Sequence, residues 1–116
     1  MTIQENRIGQ VFKALADPTR RGIVDRLIAG PATVNELARP LEMSLPAVMR
    51  HLSVLEDCGL IGSEKVGRVR TCHIEPAALR GAEAWLAERR TDWEIRLDRL
   101  GDYLAGPPVP PIERKM

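Results

Sequence analysis

With 116 residues, 44% of them apolar and 28% charged, the chain has the size and composition of one globular domain with an ordinary core. Seventeen Lys and Arg against sixteen Asp and Glu leave a formal charge of +1, which excludes a uniformly basic nucleic-acid coat and an acidic tail, so any site for a polyanion has to be local. No apolar run reaches the roughly 18 residues of a membrane span, residues 1–7 lack the apolar stretch of a secretory signal, and two cysteines with four aromatic rings exclude a disulfide framework, a four-thiolate zinc site and a base-stacking single-strand binder.

In chain order, Ile8, Val11, Phe12 and Leu15 recur at helical spacing and predict a short amphipathic first helix. Asp17-Pro18 predicts a second start, since Asp caps free backbone N–H groups and Pro suits the first helical position. Ile23, Val24, Leu27 and Ile28 are its expected buried stripe, Gly30-Pro31 its end, and Gly22 in its interior predicts a close helix crossing. Thr33-Val34-Asn35-Glu36 has capping-box spacing. The helix it opens is short, because Pro40 cannot continue it. Ser44 caps a fourth helix with the core stripe Val48, Leu52 and Leu55, stopped at Cys58-Gly59. Residues 60–74 are rich in Val, Ile, Thr and Cys around Gly67-Arg68, the pattern of two strands and a tight hairpin. Pro76 opens a long last helix in which Leu79, Ala82, Trp85, Leu86, Trp93, Leu97, Leu100 and Leu104 hold a 3.6-residue period. The Gly- and Pro-rich residues 105–116 are expected to form an extended, flexible tail after a domain spanning residues 1–104.

A short helix, a turn, a longer capped helix and then a hairpin define a winged helix-turn-helix: mainly α, with about five helices and a two-stranded wing. Its charges are segregated. The fourth helix from Ser44 to His51 holds Arg50 and His51 and no acid, and the wing from Lys65 to Arg70 holds Lys65, Arg68 and Arg70 with no acid at its tip. The helix face made by Pro46, Met49, Arg50 and Ser53 fits a major groove about 12 Å wide. Arg50 is its only long donor and suits a guanine edge or a phosphate, whereas Leu45, Pro46 and Met49 offer apolar contact such as to thymine methyls. DNA shape is expected to supply part of the specificity. The long stripe on the last helix exceeds what one small domain covers, so a second copy and a palindromic duplex site are expected.

The segments Ala14-Leu15-Ala16-Asp17-Pro18-Thr19-Arg20-Arg21, Ser44 through Ile61, and Lys65-Val66-Gly67-Arg68 resemble the winged helix-turn-helix repressors of the ArsR family. That resemblance, over about residues 8–104, implies a bacterial, cytoplasmic, homodimeric transcriptional regulator, usually a repressor. It dimerises through its first and last helices, here Val11, Phe12, Trp85, Trp93, Leu97, Leu100 and Leu104, and an effector releases it from DNA. By position it places base contacts on Leu45, Pro46, Met49 and Arg50, flanked by Ser44, His51 and Ser53, and wing contacts on Lys65, Arg68 and Arg70. Metal-sensing members carry a Cys-x-Cys pair where this chain has Asn35-Glu36-Leu37-Ala38-Arg39, and others use His on the last helix, where residues 76–104 have none. No metal site and no cofactor are therefore expected, and the effector is not fixed.

Cys58 is expected as an inert, partly buried thiol, with a Cys58-based redox sensor as the alternative, and Cys72 as a core residue sharing the inward face of its strand with Ile74. A winged helix that binds protein and has no duplex affinity is the other alternative. No Ser/His/Asp set, phosphate loop or carboxylate pair suggests an enzyme.

Overall fold

A computed structural model describes residues 3–105, with side chains from Asn6 onward. Along the chain run α1 (Ile3–Leu15), α2 (Pro18–Ile28), β1 (Ala32–Thr33), α3 (Val34–Ala38), α4 (Leu45–Asp57), β2 (Ile61–Val66), β3 (Val69–Ile74) and α5 (Pro76–Ala105). The chain divides into two compact units, residues 1–83 and residues 84–116. The first carries the winged helix-turn-helix, and the second, where described, is the remainder of α5. The Pro-rich tail expected over residues 105–116 lies outside the described residues apart from Ala105, which closes α5.

Local chemistry sets the helix ends. Asp17 accepts from the Arg20 N–H at 3.0 Å with Pro18 at the first helical position. This bond holds the Asp17 carboxyl below its ordinary pKa of 3.8. The charged cap therefore stabilises the fold above that value, and its contribution is lost as the pH falls through the lowered one. Thr33 and Glu36 form the reciprocal capping box, with the Glu36 N–H donating to Thr33 at 3.1 Å and the Thr33 N–H donating to Glu36 at 3.0 Å. Ser44 caps α4 through the Ala47 N–H at 3.3 Å.

The core of the first unit joins Val11 and Ala14 of α1, Ile23, Val24 and Leu27 of α2, Leu37 of α3, Val48, Leu52 and Leu55 of α4, and Leu60, Ile61 and Cys72 of the wing base. Leu52, Leu55 and Leu60 are essentially fully enclosed, so truncating any of them to Ala costs about 2–5 kcal/mol.

Several expectations are corrected. The wing sheet has three strands in the order β1-β3-β2, because Ala32 and Thr33 pair antiparallel with Cys72 and Thr71. Ala32 is 1% exposed there, so burial of its backbone against β3 explains the extra strand. α1 begins five residues before Ile8. Ile28 stands at 61% exposure, since Ile23, Val24 and Leu27 already fill the space under α2.

Gly22 makes no close crossing among the described residues: outside its own helix none of their atoms lies within 4 Å of the position its Cβ would take. Gly22→Ala is therefore expected to stabilise the fold by about 0.5–1 kcal/mol through helix propensity alone. A denaturant melt with a higher midpoint and an unchanged slope checks this, and a lower midpoint refutes it.

Candidate nucleic-acid interface

The motif at the α1–α2 junction has a direct physical role. The Arg20 guanidinium donates to the Ala14 carbonyl at 2.7 Å and the Lys13 carbonyl at 3.3 Å. Arg21 donates to the carbonyls of Leu15 at 2.8 Å and Ala16 at 3.1 Å. Two cations thus satisfy the orphan carbonyls at the C-terminus of α1, where the helix dipole favours positive charge. Arg20 also reaches α4, its Nη1 lying 3.3 Å from Nδ1 of His51, which is 4.0 Å from the Asp17 carboxylate. Arginine can only donate, so this contact is a hydrogen bond when Nδ1 is the accepting ring nitrogen. His51, grouped by sequence with the DNA-facing residues, is 22% exposed at its side chain and ties α4 to the end of α1. Sequence reading missed Arg20 as a positioning group, because its contact with His51 spans 31 residues, and missed the turn that brings Arg21 back to carbonyls five and six residues earlier.

Around α4 the inward positions Val48, Leu52 and Leu55 are buried, while Leu45, Pro46, Arg50, Ser53 and Val54 are exposed. Met49 is half-buried and packs against the core, so it is less available than its place in the predicted face implies. Val54, 38% exposed one turn beyond Arg50, is an outward residue the sequence reading left out. Its signal was present as the four-residue step from Arg50. The acids of α4 sit at its far end, where Glu56 accepts from the Ser63 hydroxyl at 2.8 Å.

Register decides the two faces of the wing. β2 and β3 pair antiparallel, with Ser63 opposite Cys72, Lys65 opposite Arg70, and between them Glu64 opposite Thr71. Directly opposed residues share a face and successive pairs alternate. The face holding Cys72 in the core and Ser63 against α4 is therefore the face that carries Lys65 and Arg70 toward the tip. Glu64 and the pair Val66 and Val69 lie on the other face. The turn is Gly67-Arg68, with Gly67 at φ +62, a conformation in which a Cβ is strained. Lys65 and Arg68 are exposed and Arg70 is half-buried. Lys65 and Arg70 thus share one face of the wing, apart from Glu64 on the other.

At the wing base the other face carries His73, whose Nε2 is 2.7 Å from the Glu75 carboxylate. A Cβ on Gly62 would stand 2.8 Å from that nitrogen, which explains the glycine opposite His73.

Cys58 and Cys72 are both buried free thiols, and burial pushes both above the ordinary thiol pKa of 9.0. Cys58 spends its proton on the Leu55 carbonyl at 3.4 Å. Such thiols are poor nucleophiles at neutral pH. Among the described residues no three His, Cys, Asp or Glu side chains form a group able to hold a metal ion, and no helix is long and apolar enough to cross a membrane.

The residues called for a protomer interface fall in different settings. Val11 is 3% exposed and belongs to its own protomer's core, so its side chain is not available to a partner. Phe12 is half-buried and packs on that core. In the second unit Trp85 is half-buried with Arg89 4.6 Å above its ring, whereas Trp93, Leu97, Leu100 and Leu104 are 61%, 49%, 51% and 68% exposed.

Comparison with known proteins matches residues 15–63 to a helix-turn-helix domain family. The HTH-type transcriptional regulator Rv2034 of Mycobacterium tuberculosis is 46% identical over 70 residues, covering 60% of this chain and 65% of that regulator. The chain thus spans slightly under two thirds of that relative's length. The transcriptional repressor SdpR of Bacillus subtilis is 30% identical over 79 residues, covering 68% of this chain and 88% of the repressor. Among solved structures, an ArsR family transcriptional regulator is 51% identical with a TM-score of 0.76, over 81% of this chain and 97% of that one.

Proposed function

This chain belongs to the ArsR family of transcriptional regulators, and from that premise we propose that it is a homodimeric, cytoplasmic repressor that binds a palindromic duplex site and catalyses no reaction. α4 enters the major groove, with Arg50 as its principal base contact. The wing lays Lys65, Arg68 and Arg70 along the backbone, and α5 joins the protomers through Trp93, Leu97, Leu100 and Leu104. Arg20 and His51 hold α4 in place rather than read DNA, while Ser44 serves as the helix cap. The relative named as a transcriptional repressor supports the direction of control.

One observation carries this reading: Lys65 stands directly across from Arg70, on the α4 side of the wing. Like charges opposed across an antiparallel ladder destabilise the free protein, by at most about 1 kcal/mol. A polyanion laid along that face turns the same repulsion into binding.

Lys65→Ala is expected to raise the melting temperature of the free protein slightly and to weaken binding to all duplexes alike. Two lost phosphate contacts per dimer reduce the slope of log K against log salt by about 1.8. Fluorescence anisotropy across a salt series measures this, and an unchanged slope removes the wing from the interface.

A further inference from the structure

The outward face of α4 is short of hydrogen-bonding groups. Its exposed side chains are Pro46, Arg50, Ser53, Val54, 38% exposed, and at the far end Asp57, while Leu45, 50% exposed, stands in the first turn at the flank of the core stripe. Two polar groups beside them are engaged on one side only: the Ser44 hydroxyl accepts from the Ala47 N–H, and His51 Nδ1 faces Arg20. Pro46 brings no N–H of its own. Leu45 and Pro46 stand in the first turn, the part of a recognition helix that goes deepest into the groove. An exposed leucine there is unsatisfied by water and has one apolar counterpart on a base edge in the major groove, the 5-methyl group of a pyrimidine.

Resting on the DNA-binding reading above, we propose that each half-site is read chiefly through thymine 5-methyl groups packed against Leu45 and Pro46. Arg50, four to five residues on, lies about 6–7.5 Å further along the helix. The methyls therefore lie in the same half-site as the guanine that Arg50 takes. Apolar contact does not sense the thymine O4, so the same surface accepts 5-methylcytosine where it accepts thymine. A cytosine standing at one of these positions is therefore bound more tightly when methylated.

The test begins by selecting sites from a random duplex pool with the full chain, then replaces each thymine of the selected site singly by deoxyuridine, which lacks only the methyl. Loss of one packed methyl weakens binding by about fourfold. The expected result is such a penalty at one or two thymines per half-site for the unaltered protein, its disappearance in Leu45→Ala, and tighter binding of 5-methylcytosine than of cytosine at the same positions. Deoxyuridine that is neutral at every position overturns the inference, and this arm needs no variant. A penalty of equal size in Leu45→Ala also overturns it, because the methyl then acts through DNA stiffness and not through α4. A pool that shows no enrichment at all sinks the DNA-binding reading itself, and this inference with it.

Discussion

Replacing Leu97 and Leu100 together by Glu is expected to convert the proposed dimer into monomers and to weaken binding to a two-half-site operator by about a hundredfold or more. The two leucines are 49% and 51% exposed on a stripe that continues from Trp93 to Leu104, and the surrounding positions carry Asp92, Glu94, Arg96, Asp98 and Arg99. In a two-fold arrangement each leucine meets the partner's stripe, so the double variant places four carboxylates where four apolar side chains met. Like charges brought together and stripped of water oppose association strongly. Glutamate is a good helix former, so α5 itself survives the change. A monomer then engages one half-site at a time and loses the effective-concentration advantage of the second, which is worth about 10²–10⁴. Sedimentation and anisotropy read the two effects separately. A variant that still sediments as a dimer with full operator affinity removes α5 from the interface.

Arg50→Ala should collapse the ratio of specific to nonspecific affinity by about thirtyfold or more. One bidentate guanine contact contributes about 1–3 kcal/mol of discrimination, and a palindromic site uses it twice. Arg50→Lys sharpens the result. It keeps the charge but not the planar fork, so nonspecific affinity and the salt slope should survive while discrimination falls. If Arg50→Ala instead lowers specific and nonspecific affinity in parallel, its guanidinium rests on a phosphate. The core stripe fixes the roll of α4, and Arg20 locks it further by joining His51, the residue next to Arg50, to the end of α1.

Much of the fold was legible in the residues. Asp17, Thr33 with Glu36, and Ser44 cap helices as their spacing predicts, because a cap and its backbone partner lie within three residues. Gly67-Arg68 marks the hairpin, and with it the alternation that separates Lys65 and Arg70 from Glu64. The order of elements, the wing behind the helix-turn-helix and the grouping of cations all follow from such short-range rules.

What only the tertiary structure decided is which side of each element is covered. Val11 and Ile28 both read as members of an apolar stripe, yet the first is enclosed and the second stands in solvent. Gly22 reads as a crossing point and faces open space. Met49 is drawn toward the core, Val54 is left outside, and Ala32 finds a strand partner forty residues away in Cys72. Arg20, an unremarkable cation in the sequence, becomes the link between α1 and α4. Periodicity defines a stripe on a helix to within one or two positions, but its edges are settled by neighbours distant in sequence. Caps and turns need only their own few residues, whereas burial depends on what the rest of the chain brings against them.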